Sequence, residues 1–370
     1  MTDLQTTTFH SEPREILMRT LLVTGGAGFI GGNYVLRSLA LDPGLRIINL
    51  DLLTYAGNLD TLKSLLGNER HVFIHGDIGD AERVSSLMDQ YAPDAVVNFA
   101  AESHVDRSID GPSEFVLTNV VGTLNLLQCS LDWWKNQPGP AREAFRFLHV
   151  STDEVYGSLG DTGAFSETTP YAPNSPYAAS KAGSDHLVRA FHHTYGFPTL
   201  TTNCSNNYGP YQFPEKLIPL IILNALDYKP LPVYGDGRQV RDWLFVLDHV
   251  DAINTVLDRG VAGEVYNVGG SSERTNMQVV HGICNVLAQR LPDESRGRRR
   301  ELVEYVADRP GHDRRYAIDC SKLSGQLGWQ PSVGFENGLE KTVDWYLENL
   351  EWIQRVKDGS YQGERLGLGD

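Results

Sequence analysis

From Thr20 onward, short apolar runs alternate with longer stretches whose apolar positions recur at helical spacing. T-L-L-V-T from Thr20 is a short buried strand, followed by a glycine-rich turn and an apolar helical stretch that Pro43 stops. R-I-I-N-L is a second strand ending at Asp51, and H-V-F-I-H-G-D a third, reaching Asp77. The same reading predicts a helix over 80–91, a strand through D-A-V-V-N-F-A-A to Ala101, a long helix over 112–134 and a strand over 145–150. A helix over 176–195 follows, with Ser175 as N-cap, Pro176 at the first helical position, and Gly196 and Pro198 to end it. Residues 199–204 are again a strand. Strands alternating with helices imply an α/β fold with a doubly wound, parallel (Rossmann) sheet, whose ligands bind beyond the carboxyl ends of the strands. Asp51, Asp77, Ala101 and the polar group from Ser151 to Glu154 all fall at such ends.

After Asn206 the rhythm changes. N-N-Y-G-P-Y-Q-F-P is rich in turn formers, 217–226 is a short apolar helix, and Gly235-Asp236-Gly237 reads as a hairpin turn. R-D-W-L-F-V and 264–268 are strands, 275–291 a helix, 292–301 a solvated loop, and an amphipathic helix begins at Phe335. The expected division is a disordered extension over 1–18, a Rossmann domain over 19–206 plus about 241–269, and a smaller α/β domain over about 207–240 plus 270–370.

Gly25, Gly28 and Gly31 give a G-x-x-G-x-x-G spacing between the first strand and its helix. Glycines there permit a tight turn and bring backbone N–H groups close to a pyrophosphate at the helix N-terminus. An acid at the end of the second strand, Asp51, hydrogen-bonds a ribose 2′-hydroxyl and repels a 2′-phosphate, which selects NAD over NADP.

The densest chemistry lies between His149 and Lys181. Tyr177 and Lys181, four apart, share one helix face. A free phenol, with a pKa of about 10, is a poor base at neutral pH. One cation near 4 Å, at roughly 4 kcal/mol in an effective dielectric near 20, lowers it by up to about three units. Lys181 and an oxidised nicotinamide are expected to bring Tyr177 into working range, so that it takes a proton from an alcohol as a hydride leaves for NAD. Thr152 hydrogen-bonds the same alcohol. Alcohol oxidation has no use for Asp153 and Glu154, whereas an elimination needs both a base and an acid. Adjacent carboxyls push their pKa values apart, so that one stays protonated. Neighbours on a regular strand face opposite ways, so this reading requires the strand to end near Thr152.

Composition narrows the partners. The 370 residues are long enough for two domains, or one large domain with an appended smaller one, and their apolar share of 41% and charged share of 21% are ordinary for a globular protein. A formal net charge of −15 argues against nonspecific nucleic-acid binding, and an anionic substrate needs locally gathered arginine and lysine. Four scattered cysteines, without a C-x-x-C, suggest neither a disulfide framework nor a metal site, and fit a reducing cytoplasm. Residues 1–18 have no apolar core of a signal peptide, and no apolar run is long enough to span a bilayer.

T-G-G-A-G-F-I-G, L-D-L-L-T-Y-A-G-N-L, A-A-E-S-H-V-D-R-S-I, S-T-D-E-V-Y-G, S-P-Y-A-A-S-K, T-N-C-S-N-N-Y-G-P-Y-Q-F-P-E-K-L-I-P-L, R-D-W-L-F-V-L-D-H and A-D-R-P-G-H-D-R-R-Y-A-I-D resemble the dTDP-glucose 4,6-dehydratase family, a branch of the extended short-chain dehydrogenase/reductases. The likeness covers about 20–362, and the S-T-D-E block is specific to that branch. The N-terminal extension departs from the pattern, and the segment between Gly157 and Ser166 is compact. The resemblance implies a lyase that holds NAD tightly and regenerates it each turnover. Tyr177 is then the base at sugar carbon-4, Lys181 tunes it, Thr152 assists, Glu154 removes the carbon-5 proton and Asp153 protonates the departing carbon-6 hydroxyl. Gly25, Gly28, Phe29, Ile30, Gly31, Asp51, Leu52, Leu53, Thr54, Asp77, Ile78, Ala100, Ala101, Ser103, Thr118, Tyr177 and Lys181 match cofactor positions. Ser103, Asn206, Lys216, Leu217, Pro232, Tyr234, Arg241, Asn276, Arg309 and His312 match substrate positions, and His104 is left as a structural histidine. The resemblance also implies a homodimer that pairs the helices at 112–134 and 176–195. Two rivals stand beside this reading: a nucleotide-sugar 4-epimerase, which would not need Asp153 and Glu154, and a catalytically silent dinucleotide-binding regulator.

Overall fold

A computed structural model describes residues 18–292, 298–308 and 310–360. The expected 1–18 extension lies outside them apart from Met18, as does Arg309.

Twelve strands occur among these residues: β1 (Arg19–Thr24), β2 (Leu45–Asp51), β3 (His71–His75), β4 (Ala95–Asn98), β5 (Arg146–Thr152), β6 (Thr199–Cys204), β7 (Asn206–Tyr208), β8 (Leu231–Tyr234), β9 (Val240–Phe245), β10 (Val265–Val268), β11 (Glu273–Thr275) and β12 (Val303–Val306). Seven form the main sheet in the order β3-β2-β1-β4-β5-β6-β10, with every pair parallel. Chain order reverses between β1 and β4, so a crevice opens where β1, β4 and β5 end, as doubly wound sheets require.

Apolar side chains cover both faces of the sheet. One face packs Leu21, Val23 and Ile47 against Tyr34, Val35, Ile253 and Val256 from the helices Phe29–Leu41 and Val246–Arg259. The other packs Leu22, Ile48 and Phe147 against Met88, Leu127 and Val188 from the helices Ala81–Tyr91, Thr123–Lys135 and Pro176–Tyr195. A third core gathers Tyr208, Ile221, Ile222, Val280, Ile283, Leu339 and Tyr346, where the helices Leu217–Leu226, Asn276–Arg290 and Phe335–Glu348 meet two small sheets. These are β7-β9-β11 and β8-β12.

Two expectations are corrected. Gly235 and Gly237, at φ +57° and +67°, do form a turn, but it is not a hairpin: β8 pairs with β12 and β9 with β7 and β11. The long helix at 112–134 is interrupted, running α over Pro112–Phe115, π over Val116–Gly122 and α again over Thr123–Lys135.

Candidate active site

A cavity of about 310 Å³ lies at the carboxyl ends of the central strands, within the size range of small-molecule sites. At one end is the turn after β1. Gly25 sits at φ +70°, and a Cβ there would lie 2.6 Å from the Ala100 backbone nitrogen. At Gly31 a Cβ would lie 2.2 Å from the Gly25 carbonyl oxygen. Only glycine lets these segments close up, and the helix Phe29–Leu41 therefore presents unpaired N–H groups to the cavity. Asp51 Oδ2 accepts from the Ala27 N–H and Oδ1 from the Leu53 N–H, both at 2.8 Å, so the acid ties the two loops together while lining the cavity. Burial raises its carboxyl, which these backbone donors partly offset. Backbone donors at a helix start, no side chain in their way and an acid at the next strand end fit NAD.

The cavity collects every expected cofactor residue except Leu53. Leu53, at φ +55°, turns its side chain onto the main core and contributes the N–H that holds Asp51.

At the other end are Thr152, Asp153, Glu154, Tyr177 and Lys181, together in the same cavity. β5 ends at Thr152, as the elimination reading required, and its Oγ1 accepts from the Glu154 N–H at 3.3 Å, capping a single 3₁₀ turn over Asp153–Tyr156. That turn, rather than strand alternation, lets two consecutive carboxyls face one space. Asp153 is 1% exposed, its Oδ2 has no hydrogen-bond partner among the described residues, and its acid is raised well above the carboxylate range by burial and then by Glu154. Asp153 is buried and Glu154 only half-buried, so the two acids differ in exposure.

Ser175 Oγ accepts from the Ala178 N–H at 3.1 Å and starts the helix carrying Tyr177 and Lys181. Lys181, 3% exposed, donates from Nζ to the Val150 carbonyl at 2.9 Å. Tyr177 departs from expectation in one respect: burial, followed by Glu154, raises its phenol well above the ordinary value, and the Thr152 hydroxyl is what lowers it. Lys181 alone does not overcome the desolvation of so buried a phenol. A lowered value needs the further positive charge that an oxidised nicotinamide carries.

Of the substrate positions, Ser103, Asn206 and Lys216 line the cavity, and Lys216 Nζ donates to the Ser103 carbonyl at 3.2 Å. Leu217, Pro232, Tyr234, Arg241, Asn276 and His312 do not. Tyr234, Arg241 and His312 are held by other contacts. Tyr234 donates to Asp106 Oδ2 at 3.3 Å and packs edge-on against His312. Asp308 accepts from Gln239 and lies 2.6 Å from His312 Nδ1. Arg241 lies 4.2 Å over the Tyr316 ring and donates to the Asp313 carbonyl.

Sequence reasoning missed Tyr55, Glu102, Cys204, Phe213 and Glu215, which also line the cavity. Glu215, with its side chain 1% exposed, lies 3.2 Å from Arg107 Nε and 3.8 Å from His104 Nε2, and the Arg107 guanidinium sits 3.9 Å over the Tyr55 ring. His104 keeps the structural role expected of it: it is buried, does not line the cavity, and its Nδ1 accepts from the Arg107 N–H at 3.4 Å to cap the helix Val105–Asp110. The signal was present in the charge density of E-S-H-V-D-R just past a strand end.

A sequence model of the family described as GDP-mannose 4,6 dehydratase matches residues 22–342. The chain is similar to the dTDP-glucose 4,6-dehydratase of Xanthomonas campestris pv. campestris, 67% identical over 350 residues, 95% of this chain and 99% of the relative. Among solved structures it is similar to the dTDP-glucose 4,6-dehydratase from Bacillus anthracis in complex with NAD (TM-score 0.82, 47% identity, 92% and 100% of the two chains). The UDP-glucose 4-epimerase of Thermus thermophilus, also solved with NAD, is more distant at TM-score 0.77 and 29% identity, with 89% and 99% covered. The fold is thus common to dehydratases and epimerases, while the sequence sides with the former over almost its whole length, and the chain belongs to the dTDP-glucose 4,6-dehydratase family.

Proposed function

We propose that this chain is a hydro-lyase that converts dTDP-glucose to dTDP-4-dehydro-6-deoxyglucose by oxidation at carbon-4, loss of water across carbons 5 and 6, and hydride return to carbon-6. The observation that carries it is the single cavity in which Asp153 and Glu154 accompany Thr152, Tyr177 and Lys181. Three of these groups serve an alcohol oxidation, and the remaining two serve an elimination.

NAD, when bound, takes up the substrate hydride and gives it back, so none is consumed. The chain's own groups handle the protons. Tyr177 receives the proton of the carbon-4 hydroxyl, Thr152 orients that hydroxyl, and the Lys181 ammonium steadies the phenolate. A carbonyl at carbon-4 acidifies the carbon-5 hydrogen, which Glu154 removes; the same residue returns a proton to carbon-5 as carbon-6 regains the hydride. Asp153, held in its acid form by burial, delivers its proton to the departing carbon-6 hydroxyl.

The nucleotide diphosphate is assigned to Lys216, Arg241 and Arg309, since a chain of net charge −15 must gather cations locally. Ser103, Asn206, Leu217, Pro232, Tyr234, Asn276 and His312 complete that subsite. In this reading 19–206 plus about 241–269 hold the cofactor, and about 207–240 plus 270–370 the sugar nucleotide. Two copies pair through the helices at 112–134 and 176–195, where Val116, Leu117 and Val121 are 49%, 56% and 49% exposed. No described helix is long and apolar enough to cross a membrane, and we assign the enzyme to the cytoplasm.

Incubation with dTDP-glucose and no added oxidant is expected to give a product lighter by one water. A product of unchanged mass would instead identify an epimerase. Turnover on UDP-glucose, run in parallel, reads the preference for thymidine.

A further inference from the structure

On the helix Pro176–Tyr195, Lys181 has Tyr177 one turn before it and Asp185 one turn after, all three buried. The roles above use the first two and leave Asp185 with none. Its carboxylate is nonetheless held in place: Oδ2 accepts from Ser151 Oγ at 2.8 Å and from the Tyr171 hydroxyl at 3.0 Å. Oδ1 has no hydrogen bond among the described residues and faces His149 Nε2 at 3.4 Å. Two donors on one oxygen are the setting of an ionised carboxylate, whose other oxygen is left to act through its charge.

His149 lies between this acid and the lysine, with Nε2 3.4 Å from Lys181 Nζ. Its state follows from its neighbours. Thr24 Oγ1 donates to Asn98 Oδ1 at 2.6 Å, which leaves the Asn98 amide to donate to His149 Nδ1 at 3.1 Å. Nδ1 is then the acceptor, and the neutral ring carries its hydrogen on Nε2, aimed at Ser184 Oγ (3.2 Å) and Asp185 Oδ1. A ring in that tautomer cannot accept from Lys181, which donates to the Val150 carbonyl and, among the described residues, to no carboxylate.

An ammonium in such a core is costly unless a counter-charge is near. The ionisable groups around it are His149 from β5, Cys204 from β6, and Tyr177 and Asp185 from its own helix. Tyr156 and Tyr171 face Asp185 from the segment after β5, and Asp153 and Glu154 face Tyr177. Burial holds the Cys204 thiol up at about 12 and the tyrosines above their ordinary range, so these stay neutral. Burial also lowers Lys181, and Asp185 is the first group that opposes it.

We propose that Asp185 is the counter-ion of Lys181: a positioning residue, anchored by Ser151 and Tyr171 and acting across a neutral His149, that keeps the ammonium charged where the Tyr177 chemistry needs it. This rests on the assignment of Tyr177 and Lys181 above, and the experiment separates the two. Turnover of dTDP-glucose by NAD-loaded enzyme is measured against pH for the wild type, Asp185→Asn, Asp185→Glu and Lys181→Met, with circular dichroism at each pH to confirm folding. Asp185→Asn is expected to move the alkaline limb down by about one pH unit or more, with Asp185→Glu restoring it. Asp185→Ser carries the same expectation should the asparagine variant not fold. An unmoved limb with an equal fractional loss at every pH, beside an inactive Lys181→Met, overturns the counter-ion role alone. A fully active Lys181→Met overturns the underlying assignment and this proposal with it.

Discussion

Thr152 Oγ1 accepts the Glu154 N–H at 3.3 Å, so the residue that ends β5 also caps the turn presenting both carboxyls. One hydroxyl thereby serves two ends, since the same side chain is what lowers the Tyr177 phenol. Replacing Thr152 by valine is expected to slow oxidation at carbon-4 and elimination together. Rapid-quench analysis of both steps checks this, and loss of one step alone would contradict it.

Tyr177→Phe keeps the ring against Phe115, 6.3 Å away, and removes only the hydroxyl. Turnover is expected to fall by roughly 10²–10⁴-fold, the usual worth of a positioned proton acceptor. Retained turnover would take the proton-transfer role away from this residue.

Asp153→Asn is expected to leave oxidation intact and slow the loss of water, so that reduced cofactor accumulates during a single turnover, visible in its near-ultraviolet absorbance. If no reduced cofactor builds up and oxidation itself slows, Asp153 is not the acid.

The same substitution should stabilise the protein. A carboxyl raised on folding favours the folded state only while protonated, and that contribution is lost as pH rises through the folded value. Asp153→Asn is therefore expected to melt about 2 °C or more above the wild type at pH 8, with a smaller gap at pH 5. An unchanged or lower melting temperature at pH 8 counts against a buried, strained acid.

His149 titrates the other way. Burial lowers it to about 4, while an unfolded histidine binds its proton near 6.5, so stability is lost as pH falls across that window. The loss amounts to about 3 kcal/mol when complete, at roughly 1.4 kcal/mol per unit. Urea unfolding of wild type and His149→Asn between pH 7 and 4.5 should show a shallower pH dependence in the variant.

Much of this was legible in the chain. Ser175, Pro176, Gly196 and Pro198 bounded a helix observed at Pro176–Tyr195, because caps act on the local backbone. The strand end at Asp51 was readable for a similar reason, since a polar residue stops the apolar run, whereas the apolar run of β5 stops at Val150 and the strand continues to Thr152. What could not be read depends on distant partners. The Gly235–Gly237 turn looks the same whether or not its flanking strands pair, and β8 is taken by β12, nearly seventy residues onward. Leu53 matched a cofactor position by resemblance, but its positive φ sends the side chain into the core. The Tyr177 phenol was judged by its neighbour Lys181, whereas its surroundings are set by the whole fold closing over it. Asp185 passed unnoticed because nothing in S-K-A-G-S-D reveals that Ser151 and Tyr171 wait for it.

The π segment Val116–Gly122 bears on how this enzyme tolerates change. An α-helix advances about 100° per residue, so a wider turn inserted in mid-helix resets the direction of everything before it. Thr118 meets the cavity and Phe115 meets Tyr177, while Leu126 and Leu127 remain under the sheet, because of that reset. Removing one residue between Val116 and Gly122 would restore an ordinary helix and swing Phe115 about a quarter turn from the tyrosine. Substitution at these positions alters a side chain, but a change in length there would misalign the site.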